Sequence, residues 1–209
     1  MADPCPVNPR LDRTFFARPA SAVARGLVGA VLCRRWRGRV LRARVVETEA
    51  YVGCHDLACH ASRGRTARTA VMFGPAGRAY VYLVYGLHDM LNVVTGPVGD
   101  AQAVLIRAAE PLDGWAANLT GPGRLARAMN VTVRRDNAAD MTAPGAALYV
   151  TAPDPRAAPP RVVTTPRIGV DYAGDWAHAP LRFVDADSRA TSRNGQWPRV
   201  NGQGMTKGQ

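Results

Sequence analysis

The chain has 209 residues and a mass of 22.4 kDa, with 47% hydrophobic and 21% charged residues. That is the composition of one folded domain with a proper core, and it excludes an intrinsically disordered or low-complexity protein. The 27 Lys+Arg against 16 Asp+Glu leave a formal charge of +11 and a pI near 10.5, which points to a polyanionic partner, nucleic acid before an anionic membrane surface.

Pro19, with Val23 and Leu27 four apart and Gly26 and Gly29 behind them, predicts a short helix over 19–27. Two strands follow, Val31-Leu32-Cys33 and Val40 to Tyr51, joined by a tight turn at Trp36-Arg37-Gly38. Period two in the second strand places Val45, Glu47, Glu49 and Tyr51 on one face, and a face with two carboxylates is not an ordinary core. A polar loop from Ser62 to Arg68 and the turn signal Gly74-Pro75-Ala76-Gly77 precede a strand from Arg78 to Tyr85. Its alternation sets Tyr80, Tyr82 and Val84 on one side and Val81, Leu83 and Tyr85 on the other.

Gly86 then turns the chain into a return strand through Met90-Leu91-Asn92-Val93-Val94. A further strand over Ala103 to Ala109 completes an antiparallel meander with Tyr85 near a hairpin tip. Gly121-Pro122-Gly123 opens a short helix with Leu125, Ala128 and Met129 on one face and Arg124 and Arg127 pointing away. Residues 152–166 form a proline-rich surface connection, and the apolar stretch from Arg167 to Val184 packs back on the core. One domain is expected over 1–185, its first ~14 residues loose, with 186–209 a mobile polar tail.

No run of about 18 apolar residues exists, and Met-Ala-Asp-Pro-Cys-Pro lacks the basic-then-apolar pattern of a secretory signal, so a cytoplasmic protein is expected. The 4 cysteines are too scattered for a disulfide framework and are expected as reduced thiols. Cys54, His55, Cys59 and His60 lie close in sequence, but zinc sites usually draw on two separated ligand pairs, so no metal is expected there.

Two readings of Glu47 and Glu49 stand side by side. Carboxylates on a strand face beside aromatics suit hydrolysis of a glycosidic bond, where one of them orients and deprotonates water; equally, the pair forms a ladder facing arginines. Tyr51, Tyr80, Tyr82 and Tyr85, four of only 6 tyrosines, are either half-buried sheet formers or a stacking box for a nucleobase with a wedge at the hairpin tip.

The segment VVETEAYVGCHDLACHASRGRTARTAVMFGPAGRAYVYLVYGLHDMLNVV closely resembles the core of alkyladenine (3-methyladenine) DNA glycosylases. So do Leu105 to Pro111, Gly121-Pro122-Gly123-Arg124-Leu125 and the stretch from Pro166 through Val170 to Phe183, and the resemblance runs from about Phe15 to Arg182. It implies an α+β fold in a single domain, a curved antiparallel sheet flanked by helices with a protruding β-hairpin that inserts into DNA.

By the same resemblance Glu49 activates the hydrolytic water, Glu47 is structural, and Arg107 and the backbone of Ile168 help to position the water. Tyr51, His60 and Tyr82 wall the pocket for a flipped purine, Asn92 screens out guanine's exocyclic amine, Tyr85 fills the vacated place in the stack and Met72 makes a contact beside that wedge. His88 stands where an aromatic residue or another histidine often contacts DNA.

The implied partner is double-stranded DNA containing damaged purines, bound by a monomer at the nucleoid without a metal or organic cofactor. Arg63, Arg65, Arg68 and Arg124 are candidate phosphate contacts. The faces of Tyr51 and Tyr82 are expected to attract a cationic alkylated base by about 0.5–2 kcal/mol. A strand-cutting glycosylase forms a Schiff base through an amine, and the one lysine of the chain is Lys207, so simple hydrolysis without lyase activity is expected. The alternative is a non-catalytic damage-binding protein on the same fold.

Overall fold

A computed structural model describes residues 8–192. In chain order the strands are β1 (Val31–Trp36), β2 (Arg39–Tyr51), β3 (Ala79–Val84), β4 (His88–Thr95), β5 (Gln102–Pro111), β6 (Leu148–Thr151), β7 (Val162–Thr165) and β8 (Arg182–Asp185). The helices are α1 (Arg13–Phe16), α2 (Ala20–Leu27), α3 (Pro122–Ala128) and α4 (Val133–Asp136).

Strand β2 is the spine of the sheet. Along one edge it pairs with β5; along the other, β1 covers its first half and β8 covers Glu47 to Glu49. The order β3-β4-β5-β2-β1-β6, with β8 and then β7 leaving from β2, gives a curled antiparallel sheet in an α+β domain. Ala20, Val23, Ala24 and Leu27 recur at helical spacing along α2 and are fully buried against it. This agrees with the helix expected over 19–27.

The face assignment along β2 needs one correction. Pairing with β5 slips between Val45 and Glu47 and again before Thr48, so a β-bulge inserts an extra residue and reverses which side each later residue faces. Val45 therefore packs in the main core with Ala43, while Thr48 and Ala50 take up that side beyond the bulge. Thr48 Oγ1 donates to the Ala24 carbonyl at 2.8 Å. Glu47, Glu49 and Tyr51 face the other way, without Val45.

The β3–β4 hairpin turns through Tyr85 and Gly86, at φ 51° and 69°, with Leu87 N–H donating to the Val84 carbonyl at 3.0 Å. Two consecutive positive φ values make this the two-residue turn that matches strand twist. Glycine takes that conformation freely, whereas a tyrosine held there costs roughly 1 kcal/mol. The turn leaves Tyr85 92% exposed, flanked by Leu83 and Leu87.

Helix α3 forms as expected after Gly121, with Leu125 and Ala126 buried and Arg124 and Arg127 exposed. Part of the tail expected past Asp185 lies against the sheet. Ala186 N–H donates to the Arg161 carbonyl, Ser188 Oγ donates to Glu110, and Ser192 donates to Glu47. Near the start of the chain, Leu11 N–H donates to the Val150 carbonyl. Residues 1–7 and the remainder of the expected tail, Lys207 included, fall outside the described residues. Among the described residues no helix is long and apolar enough to cross a membrane.

Candidate active site

The bulge in β2 places Glu47 and Glu49 on the side of the sheet turned away from α2, where both carboxylates are fully buried. A buried charge survives only when paired and hydrogen-bonded, and each has partners from distant parts of the chain. Glu47 accepts from Arg182 Nε at 2.6 Å, Arg107 Nε at 3.2 Å, and both Ser192 N–H and Oγ at 2.6 Å. That saturates it, as a structural role requires.

Glu49 is held differently. Its Oε1 accepts from Ile168 N–H at 2.8 Å, and its Oε2 accepts from Tyr51 Oη at 3.0 Å and Arg107 Nη1 at 3.2 Å. An ionised carboxylate offers about four acceptor positions, so one remains for a further donor. Burial, followed by the Glu49 charge, drives the Tyr51 phenol well above its ordinary value and keeps it a donor. For Arg107, burial opposes the charge, but Glu49 and Glu47 outweigh it and raise its pKa further.

Beside this carboxylate lies a cavity of about 190 Å³, lined by Tyr51, His60, Tyr82, Asn92, Arg107 and Ile168 among others. It has room for one bicyclic base. His60 Nδ1 and Tyr80 Oη are hydrogen-bonded at 2.9 Å, and the His60 ring meets Tyr82 edge-on with centroids 4.5 Å apart. Burial, then the nearby Arg68 and Arg63, push His60 down to about 4 from an ordinary 6.5. Asn92 is pinned between strands, its Nδ2 donating to the Tyr80 carbonyl at 3.1 Å.

Because the folded pKa of His60 lies below the unfolded one, the unfolded chain binds the extra proton between about pH 4 and 6.5. Its contribution to stability is therefore complete above pH 6.5 and shrinks as the pH falls towards 4. Imidazole NMR shifts are expected to stay those of a neutral ring between about pH 8 and 5.5. A midpoint near 6.5 would contradict the burial described here.

Tyr51, His60, Tyr82, Asn92, Arg107 and Ile168, expected at the base pocket or the water, thus line one cavity, with Glu49 bonded to three of them. Met72, expected as a contact beside the wedge, is buried with Cys59, Tyr80 and Ala103 and lines the cavity. It lies in a 3₁₀ turn at Ala70–Phe73 that packs against β4 and β5.

Tyr85 stands at the hairpin tip, outside the cavity. Arg63, Arg65 and Arg68 are exposed on the loop after His60, and Arg124 is exposed on α3, whose Pro122 lines the cavity and whose Gly123 packs against His88. Cys54 is exposed while Cys59 is buried, its thiol pushed up to about 11 by that burial. Among the described residues no three His, Cys, Asp or Glu side chains converge as metal ligands.

Several residues that hold the site were missed. Arg167 and Asp56 form a fully buried ion pair, 2.5 and 2.8 Å across its two bonds, and Arg167 also donates to the Ala50 carbonyl at 2.9 Å. This fastens the segment that presents Ile168 N–H to the end of β2. Arg182 and Ser192 support Glu47 in the same way, and Tyr172 and Met90 complete the lining.

A family model described as methylpurine-DNA glycosylase (MPG) matches residues 14–189. The chain belongs to the methylpurine-DNA glycosylase family. These are hydrolases of the N-glycosidic bond.

Relatives carrying the name "Putative 3-methyladenine DNA glycosylase" occur in several bacteria. The one from Myxococcus xanthus is 50% identical over 185 residues, covering 88% of this chain and 93% of its own. That of an Anaeromyxobacter species is 47% identical over 93% of this chain and 98% of its own, and that of Legionella pneumophila (strain Corby) is 42% identical over 88% and 98%. Membership extends over the whole sheet and every residue of the cavity.

Proposed function

We propose that this glycosylase repairs DNA by flipping alkylated or deaminated purines out of the duplex and hydrolysing their N-glycosidic bond, leaving an abasic site without cutting the strand. The observation that carries the reading is Glu49, a buried carboxylate bonded to three residues that line a base-sized aromatic cavity, Tyr51, Arg107 and Ile168, with one acceptor position free. A water there gives its proton to Glu49 as its oxygen attacks C1′ of the sugar, and the base departs with the electron pair of the broken bond. Arg107 and the Ile168 amide hold the carboxylate in place for that step.

Extrusion costs a few kcal/mol of stacking and pairing, and less at a damaged base. Tyr85, exposed on a strained turn, fills the vacated stack. Its backbone conformation persists because the hairpin over-determines it, which is common for side chains that must project. Arg63, Arg65, Arg68 and Arg124 meet phosphates around the cavity mouth, so binding weakens steeply with salt. All donors to Glu49 come from one chain, so a monomer suffices, acting where the DNA is, at the nucleoid.

The test is release of free base from duplexes bearing a single hypoxanthine, ethenoadenine or N7-alkylated guanine, read by chromatography, with borohydride added in a parallel reaction. Base release with no borohydride-stable protein–DNA adduct is the expected result. Tight binding with no release from any of the three would replace this reading by that of a damage-binding protein, and a stable adduct would overturn the absence of lyase activity.

A further inference from the structure

Two tyrosines in the cavity wall each have a guanidinium over the ring. Arg167 Cζ lies 4.9 Å from the ring centroid of Tyr51, and Arg68 Cζ lies 5.0 Å from that of Tyr82. Neither arginine lines the cavity, although both tyrosines do. Arg167 is neutralised by Asp56. Arg68 is exposed, close to His60 and to the Tyr80 hydroxyl, and no carboxylate among the described residues forms an ion pair with it.

An aromatic ring attracts a cation through the negative potential of its face. When a cation already sits over one face, a second cation brought to the opposite face meets a weakened potential and the repulsion of the first, while a neutral base loses little. Beside Tyr82 the other polar ring, His60, is neutral at physiological pH, and Arg107 adds a further positive group whose charge is already shared by Glu49 and Glu47.

We propose that Arg68 is a specificity-determining residue whose guanidinium over the Tyr82 ring lowers the pocket's preference for positively charged purines, such as N7-alkylated guanine, relative to neutral ones, such as hypoxanthine. This runs against the sequence-based expectation that the two tyrosine faces attract a cationic base. It rests on the functional reading above and deepens it, since it names the charge state of the base that the site favours.

A phosphate contact by Arg68 would influence both kinds of lesion alike. A charge over the ring changes their ratio. The experiment is therefore single-turnover base release by the wild type, Arg68→Gln and Arg68→Lys from two duplexes that differ only in carrying N7-methylguanine or hypoxanthine. In Arg68→Gln the ratio of the cationic to the neutral rate is expected to rise ~3- to 10-fold, whereas Arg68→Lys keeps it near the wild-type value. In the wild type the ratio should also climb with ionic strength, because an exposed charge is screened.

Equal losses on both duplexes, with the ratio unchanged, would reduce Arg68 to a phosphate contact and overturn the proposal. Absence of release by the wild type from either duplex would overturn the functional reading, and this inference with it. That outcome is distinct from an unchanged ratio, because it is seen before any variant is compared.

Discussion

Glu49→Gln is expected to lower single-turnover base release by ~10²- to 10⁴-fold, the usual range for removal of a general base, while the protein still binds lesion-bearing duplex. The substitution keeps the shape of the side chain and one carbonyl oxygen, so Ile168 N–H retains its acceptor. The other oxygen becomes an amide NH2 group that meets two donors, Tyr51 Oη and Arg107 Nη1. Some loss of thermal stability follows, because two satisfied bonds are exchanged for a clash of donors. Arg107 still has Glu47 as a counter-charge. Residual activity within threefold of the wild type would remove Glu49 from the chemistry.

Glu47→Ala should act through a different property, the stability of the fold. Its carboxylate stands between the buried guanidiniums of Arg107 and Arg182 and takes both polar groups of Ser192. Removing one partner from a buried charge network typically costs ~3–5 kcal/mol, a large fraction of what a domain of this size has in reserve. Chemical denaturation should show a midpoint far below that of the wild type, and activity should fall with the folded fraction. Glu47→Gln, which keeps the shape and part of the bonding, should lose clearly less. An unchanged midpoint in Glu47→Ala would mean that the two arginines find other partners at no cost.

The contrast between these carboxylates shows how far the residues could be read by themselves. Alternation along β2 and the tyrosine pattern of β3 were legible, because side-chain direction in a strand has a period of two and needs only local sequence. So was the hairpin tip, where Gly86 follows Tyr85 directly. The position of Val45 was not, since a bulge breaks that period without a marker in residue type. Nor was the burial of Met72, because the Gly74-Pro75 signal marks a turn without saying which side chain just before it points inward.

Arg167, Asp56, Arg182 and Ser192 were out of reach for another reason. Each supports the site through bonds that span 111–145 positions, and nothing local distinguishes a buried arginine from the many solvated ones of so basic a chain. The only signal for the two arginines was the resemblance of the stretch from Pro166 to Phe183 to the family, and for Asp56 that of the segment beginning at Val45; both mark regions and assign no contacts. Glu49, Tyr51, His60, Tyr82, Asn92, Arg107 and Ile168 were named by that resemblance, and the convergence of the last six on one cavity, three of them bonded to Glu49, is what the fold adds.

The long reach of these bonds also bears on how the protein is made. Glu49 and Tyr51 emerge from the ribosome early, whereas the Ile168 amide arrives 119 positions later and Ser192 comes 145 positions after Glu47. Contacts so distant along the chain form late, once the intervening loops have closed. A chain not yet extended past Ile168 therefore carries Glu49 without one of the groups that hold it, and on the role proposed for Glu49 it would not cleave nucleic acid beside the ribosome. That capacity would appear only once the segment from Arg167 to Ser192 has emerged and packed against β2.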